Sequence, residues 1–373
     1  MLDESRTAAA RQSMPAPKAA QMIADCDIHP MPNSVNELHP YLEQRWIDYL
    51  RDFDMVRHFA LVGGSFYPKA HAQGLRQDAY PSNGRLPGSD LPFMAKQHLD
   101  PNNVALGMLL PICVEQSSRN VPFAAAYCRA INDWQKENWT TKDKRLRASI
   151  LVPYEDPTAA VAEIERRAND PDFAQVMLPS RTGTPFGDRK FWPIYEATVR
   201  AGKVLGFHPN PGDSNIATTT GGWPSYYLED MAHYSQAYQM HLVSMVSQGV
   251  FEAYPGLRCV FIEGGFSWAP PLLWRLDRIW KQLRAEVPEV RRLPSEYARE
   301  HVWFSSQPVE EPANPRHLQE NIEMIGWDRF MFSSDYPHWD TDAPMYVLPF
   351  RASEDQKRAF FYENAARLYG VLA

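Results

Sequence analysis

Met22-Ile23-Ala24-Asp25-Cys26-Asp27-Ile28-His29 is an apolar strand opening that turns acidic and ends on an imidazole. Successive side chains of a strand point to opposite faces, so Asp25, Asp27 and His29 share one face. Such a face is either a solvated strand end, with His29-Pro30 opening a loop, or one wall of a metal site. Which reading holds depends on where the other acidic and histidine side chains fall.

Seven further strand-sized apolar runs follow, at 104–112, 146–154, 173–179, 203–208, 257–264, 301–306 and 329–335. Helix-length segments lie between them, at 121–139, 157–168, 189–201, 233–253, 268–285 and 314–325, and 353–368 closes the chain. Asp156-Pro157 reads as an N-cap followed by a first-turn proline. Eight strands alternating with helices, the strands apolar throughout, are the layout of an α/β (β/α)8 TIM barrel. A doubly wound open sheet shares this periodicity and is the second candidate. Two stretches rich in Gly and Pro, 62–103 and 209–232, read as long loop insertions at the C-terminal mouth of the barrel, as pocket walls or lids.

The 373 residues, 44% hydrophobic and 22% charged, can bury an ample core. One catalytic domain is expected over 22–373, behind a flexible leader at 1–21 that has no signal-peptide core. A net charge of -7 and a pI near 5.9 leave no basic field for a phosphate backbone, so nucleic acid is not an expected partner. No apolar run approaches the roughly 20 residues of a membrane-spanning helix. Cys26, Cys113, Cys128 and Cys259 are widely spaced, which fits a reducing compartment, and a cytoplasmic location is expected.

On these eight strands, Asp27 and His29 end the first, His208 the fifth, Glu263 the sixth and Asp335 the eighth, and all converge on one mouth. So many charged or basic groups in one place would be costly without a cation among them. Asp-x-His after strand 1, His-Pro after strand 5, acidic-Gly-Gly after strand 6 and Ser-Asp-Tyr-Pro after strand 8 together resemble the amidohydrolase-related family. Aminocarboxymuconate-semialdehyde decarboxylase and the resorcylate-type decarboxylases belong to that family. The resemblance runs from Met22 to Leu368 and implies a distorted (β/α)8 barrel with its metal at the C-terminal mouth. It implies that Asp27, His29, His208 and Asp335 form a first metal site.

Two positions depart from the family pattern. Asp27 stands where many members carry histidine, and Glu263 stands where the decarboxylases resemble one another in having a catalytic histidine. Both exchanges replace nitrogen by oxygen, which favours Fe or Mn over Zn. With His338 as a sixth donor, the inventory looks like a dinuclear Fe or Mn centre, with one Zn or Mn ion as the alternative. A small branch of the resembled family is understood to consist of dinuclear metal oxygenases, so the resemblance with this pattern implies, as the leading expectation, an O2-dependent monooxygenase, a hydroxylase of a small organic acid, using Glu263, Asp335 and His338. The alternatives are a mononuclear decarboxylase or hydrolase of an aromatic or muconate-type acid, with Glu263 or Asp335 transferring the proton, and a non-catalytic partner subunit.

Glu263 could equally orient a ligating histidine, and His338 could be a hydrogen-bond donor in the pocket. Arg181, just past strand 4, is either a clamp on a substrate carboxylate or half of a surface ion pair. Trp223 and Trp268, with Tyr226 and Tyr227, are candidate pocket walls. Asp25 is expected to support the ligands from behind. His233 and His241 are expected to pack or cap their helix or to face the mouth, and His39, His58, His71, His98, His301 and His317 to be structural or superficial. A homo-oligomer, or a hetero-oligomer with a related subunit, is expected.

Overall fold

All eight apolar runs form strands: β1 (Ile23–Ile28), β2 (Val104–Leu109), β3 (Leu146–Leu151), β4 (Phe173–Pro179), β5 (Val204–His208), β6 (Cys259–Phe261), β7 (Val302–Ser305) and β8 (Phe330–Met331). The structure, a computed structural model, describes residues 21–53, 74–209, 222 and 224–372. The strands pair in parallel in chain order, β1 through β8. A doubly wound sheet would place later strands on both sides of the first, so this order excludes it. Strands covered on both faces need apolar side chains on both, and β1, β4 and β5 are buried along their whole length.

The barrel is distorted at its seam. β8 is only two residues long, and closure is carried by the chain that continues from it. The Cys26 amide donates to the Phe332 carbonyl at 3.1 Å, the Asp335 amide to Asp27 at 3.1 Å, and the His29 amide to Tyr336 at 2.8 Å. The segment that zips the barrel shut is therefore the one that carries Asp335.

The expected helices form, with differences that have local causes. Asp156 Oδ1 accepts from the Thr158 and Ala159 amides at 3.1 Å and starts Pro157–Arg167. The helix expected to start at 233 starts at Tyr227, because Glu229 folds back onto the Ser225 and Tyr226 amides at 2.6 and 3.2 Å. The expected loop 209–232 is thus helical from Tyr227, and its residues 210–221, with Trp223, lie outside the described residues. The first insertion, described from Gly74, carries short helical turns at Gln77–Ala79, Leu91–Met94 and Ala95–Leu99. Helices Gln44–Asp52 and Pro294–His301 were not expected. The leader lies outside the described residues except for Gln21, and no described helix is long and apolar enough to cross a membrane.

Candidate metal centre

The strand ends bring the acidic and histidine side chains together. Asp27 and His29 come from the end of β1 and its first following residue, His208 from the end of β5, and Glu263 and Asp335 from the turns after β6 and β8. Both turns are strained: Glu263 and Asp335 have φ of 56° and 63°, and the one other described non-glycine residue with positive φ is Asn103. Such backbone costs roughly 1–3 kcal/mol per residue and must be held by its surroundings. At Glu263 the amide reaches Ser305 Oγ at 3.3 Å and the Tyr238 hydroxyl donates to the preceding Ile262 carbonyl. The following Gly264 is required, because a Cβ there would lie 2.6 Å from the Tyr238 ring.

Six side chains meet at the mouth. His29 Nε2 lies 3.0 Å from Asp27 Oδ1 and 2.8 Å from Asp335 Oδ1. His208 Nε2 lies 2.8 Å from Glu263 Oε2 and 3.6 Å from Asp27 Oδ1, and His338 Nδ1 lies 2.5 Å from Asp335 Oδ1. Two quartets have all their donor atoms within 4.8 Å of one another: Asp27, His29, His208 and Glu263, and His29, Glu263, Asp335 and His338. Asp335 therefore groups with His338, and Glu263 takes the place beside Asp27, His29 and His208 that Asp335 was expected to fill.

The donors fit a cation. Both Asp27 carboxylate oxygens, His29 Nε2 and both His208 ring nitrogens are buried without a hydrogen-bond partner of proper geometry, although they crowd one another. Unsatisfied buried polar atoms are costly, and a cation beside Asp27, His29 Nε2 and His208 Nε2 would satisfy those three residues together, each imidazole offering one nitrogen to an ion. His29 Nδ1 lies 2.7 Å from the Leu110 carbonyl, which can only accept, so Nδ1 carries the hydrogen and Nε2 presents its lone pair to the centre.

Electrostatics agree. Burial alone would raise Asp27, but His29 and His208 hold its carboxyl well below the usual range. Burial would likewise lower the two imidazoles, yet Asp27 with Asp335 raises His29, and Asp27 with Glu263 pushes His208 up to about 9. Glu263 is raised by burial and by Asp335, and Asp335 is pushed up to about 7, mainly by burial. The carboxylates thus favour positive charge on the imidazoles, the same charge that a cation among them would supply.

Asp25 shares the face of Asp27 and is fully engaged. Its oxygens take the Asp27 and Ser334 amides, the Ser334 hydroxyl and His98 Nε2. His98, expected to be structural or superficial, is thus buried behind the centre, and its separation of 73 residues from Asp25 hid the contact. Arg181 is buried and its Nη2 meets Asp230 Oδ1 at 2.8 Å, an internal ion pair instead of a surface one. Trp268 donates through Nε1 to the Gly264 and Gly265 carbonyls at 3.0 Å and packs tilted against Phe261 and edge-on against Phe304, so it braces the Glu263 turn from outside. Trp223 lies outside the described residues. The mouth cavity is instead lined by Tyr227, Met231, Tyr234, Trp339 and Asp340, beside Glu263, Asp335 and His338. Of these wall residues, sequence reading singled out only Tyr227; Asp340 follows His338 by two residues.

The family description for amidohydrolases matches residues 24–371. Among curated relatives, the gamma-resorcylate decarboxylase of Polaromonas sp. (strain JS666) is 23% identical over 310 residues, covering 77% of this chain and 93% of that protein. Among solved structures, a dihydroxybenzoic acid decarboxylase from Polaromonas sp. JS666, with bound manganese and 2-nitroresorcinol, aligns over 95% of this chain and 98% of its own at 18% identity and a TM-score of 0.65. A 5-carboxyvanillate decarboxylase from Novosphingobium aromaticivorans, complexed with manganese and 4-hydroxy-3-methoxy-5-nitrobenzoic acid, aligns over 94% and 96% at 18% identity and a TM-score of 0.68. These relatives overturn the expected O2-dependent hydroxylase: they are decarboxylases. The physical reason is that oxygen donors in place of nitrogen select a harder cation, and hardness does not require that the cation exchange electrons.

Proposed function

The chain belongs to the amidohydrolase family, and from that premise we propose that it is a metal-dependent, non-oxidative decarboxylase of a small aromatic carboxylic acid. The observation that carries this reading is the set of buried, unsatisfied donors on Asp27, His29 and His208, gathered at the mouth of a barrel whose relatives are decarboxylases. A divalent ion held there, with manganese favoured by the ligands of those relatives, would polarise an oxygen of the bound acid.

The chain's own groups do the rest. Glu263 faces the cavity from the position where the resembled decarboxylases carry histidine, and it is assigned the proton transfer. The proton passes from a Glu263 Oε atom to the ring carbon that bears the carboxylate. The bond from that carbon to the carboxylate then breaks, its electron pair restores the ring, and CO2 leaves; Glu263 regains its proton from water. Tyr227, Met231, Tyr234 and Trp339 wall the cavity with aromatic and apolar surface suited to a flat ring.

A second reading concerns ion count. The quartets share His29 and Glu263; His29 Nε2 has one lone pair and would serve one cation, whereas the two oxygens of Glu263 could serve two, manganese or iron. The test of both is to load the chain with Mn2+, count ions per chain, and follow CO2 release from a panel of hydroxybenzoic and vanillic acids with and without O2. Release at equal rates in both atmospheres is expected. Turnover that consumes O2, or no release from any acid by metal-loaded protein, would overturn the proposal.

A further inference from the structure

Among the described residues, His98 is a buried group outside the mouth that joins the metal centre to a distant part of the chain. His98 lies in the turn Ala95–Leu99 of the insertion between β1 and β2, and is 3% exposed. Its Nε2 is 2.7 Å from Asp25 Oδ2; a carboxylate only accepts, so Nε2 carries the hydrogen, and Nδ1 is left to accept from Asn102 Nδ2 at 3.3 Å. The ring stacks on Tyr336 at 4.6 Å with planes 16° apart, and the Tyr336 hydroxyl donates to Gln97 Oε1 at 2.7 Å.

Asp25 passes this contact to the centre. Its Oδ1 accepts from the Ser334 amide at 2.9 Å and the Asp27 amide at 3.2 Å, and its Oδ2 accepts from the Ser334 hydroxyl at 2.6 Å. Ser334 Oγ in turn accepts from the Tyr336 amide at 3.1 Å. Ser334 and Tyr336 flank Asp335, whose φ of 63° must be enforced by its neighbours. Unlike the orphaned donors of Asp27, His29 and His208, neither Asp25 nor His98 has a buried atom without a partner. Two carboxylates on one strand face are thus divided in role: Asp27 is left open for a cation, and Asp25 is filled by the chain itself.

We propose that His98 is a positioning residue, which through Asp25 and Ser334 holds Asp335 and the Asp27 backbone in place at the metal centre. This deepens the proposed function and rests on the metal reading. Without the imidazole, Asp25 loses its one side-chain nitrogen partner and is free to turn away from Ser334, and Tyr336 loses its stacking surface. The strained Asp335 turn then relaxes, and its carboxylate shifts against His29 and His338.

The experiment uses the full chain and Mn2+ or Co2+ alone as probes. His98→Ala is expected to raise the Mn2+ dissociation constant by on the order of 10–100-fold and to shift the visible bands of the Co2+ form, and His98→Gln, which keeps a donor for Asp25, to recover most of both. His301→Ala is the control, since His301 is equally buried, bonds the Leu257 carbonyl at 2.7 Å and stacks on Phe251 away from the centre. It should lower thermal stability and leave affinity and bands unchanged. A wild-type chain that takes up no ion would overturn the metal reading and this inference with it. Ion uptake by wild type with no larger change in His98→Ala than in His301→Ala would overturn the inference alone.

Discussion

Acidification should destabilise this protein through His241 by an amount that can be worked out in advance. The side chain sits on the helix Tyr227–Ser247, 3% exposed, where its Nε2 hydrogen is donated to the Ser180 carbonyl at 2.7 Å and Nδ1 accepts the Phe186 amide at 3.2 Å. A second proton would have to go onto Nδ1, against an N–H that already points at it. Burial pushes the imidazole down to about 4, the Ser180 contact opposing it only in part. In the unfolded chain the same group titrates near 6.5. The folded value is the lower one, so the unfolded state takes up the proton first. The contribution of neutral His241 is complete above about pH 6.5 and is lost as pH falls toward 4. At about 1.4 kcal/mol per pH unit the full span is roughly 3 kcal/mol, of which about 1.3 kcal/mol is lost between pH 7.5 and 5.5. Urea unfolding of wild type and of His241→Gln at those two pH values measures it. The glutamine can keep both hydrogen bonds and cannot titrate, so the variant should lose about 1.3 kcal/mol less than wild type over this interval. Equal losses in the two proteins would refute the assignment of a neutral, doubly bonded His241.

Two further perturbations probe the centre. Glu263→Gln removes the titratable carboxyl and keeps the shape; if Glu263 serves proton transfer, CO2 release should fall by roughly 100-fold or more with one Mn2+ per chain retained, as metal analysis would show, whereas loss of an ion would assign Glu263 to ligation. Gly264→Ala drives a methyl to 2.6 Å from the Tyr238 ring, whose hydroxyl anchors Ile262, and should cost about 1–3 kcal/mol in unfolding and weaken Mn2+ binding. Gly183→Ala, with nothing within 4 Å of the new Cβ, is the control, and equal behaviour of the two variants would show that the Glu263 turn is not held by this contact.

The barrel was legible in the sequence because its signal is local. Each buried parallel strand reads as an apolar run, and eight runs separated by helices leave few topologies. What was not legible depended on contacts made at a distance or on single side chains. The early start of Tyr227–Ser247 turns on Glu229 reaching back to two amides, a signal overridden in reading by the glycines and prolines just before it. The two-residue length of β8 reflects hydrogen bonds from the following residues to β1, more than 300 positions earlier in the chain. Likewise nothing near His98 announces Asp25, and nothing near Arg181 announces Asp230.

The donors were found for a different reason: a barrel sends every strand end to one mouth, so counting strands is enough to assemble Asp27, His29, His208, Glu263 and Asp335. The same logic could not yield the reaction. Donor type constrains the cation, through hardness and geometry, and a carboxylate-rich set accepts a redox-active ion or one that stays in a single oxidation state equally well. What separates oxygen chemistry from decarboxylation is whether the cavity admits and orients an aromatic acid against the ion and supplies a proton to its ring. That depends on Tyr227, Met231, Tyr234, Trp339 and Asp340, side chains from the helix after β5 and the turn after β8 that meet only when the barrel closes. Reading Glu263 as a departure in ligand type therefore led toward oxygen chemistry, whereas reading it as a proton carrier, at the position where the resembled decarboxylases carry histidine, is the reading that fits the proposed decarboxylation. The consequence is that activity should follow the protonation of this carboxyl and the shape of the wall facing it, and be indifferent to O2.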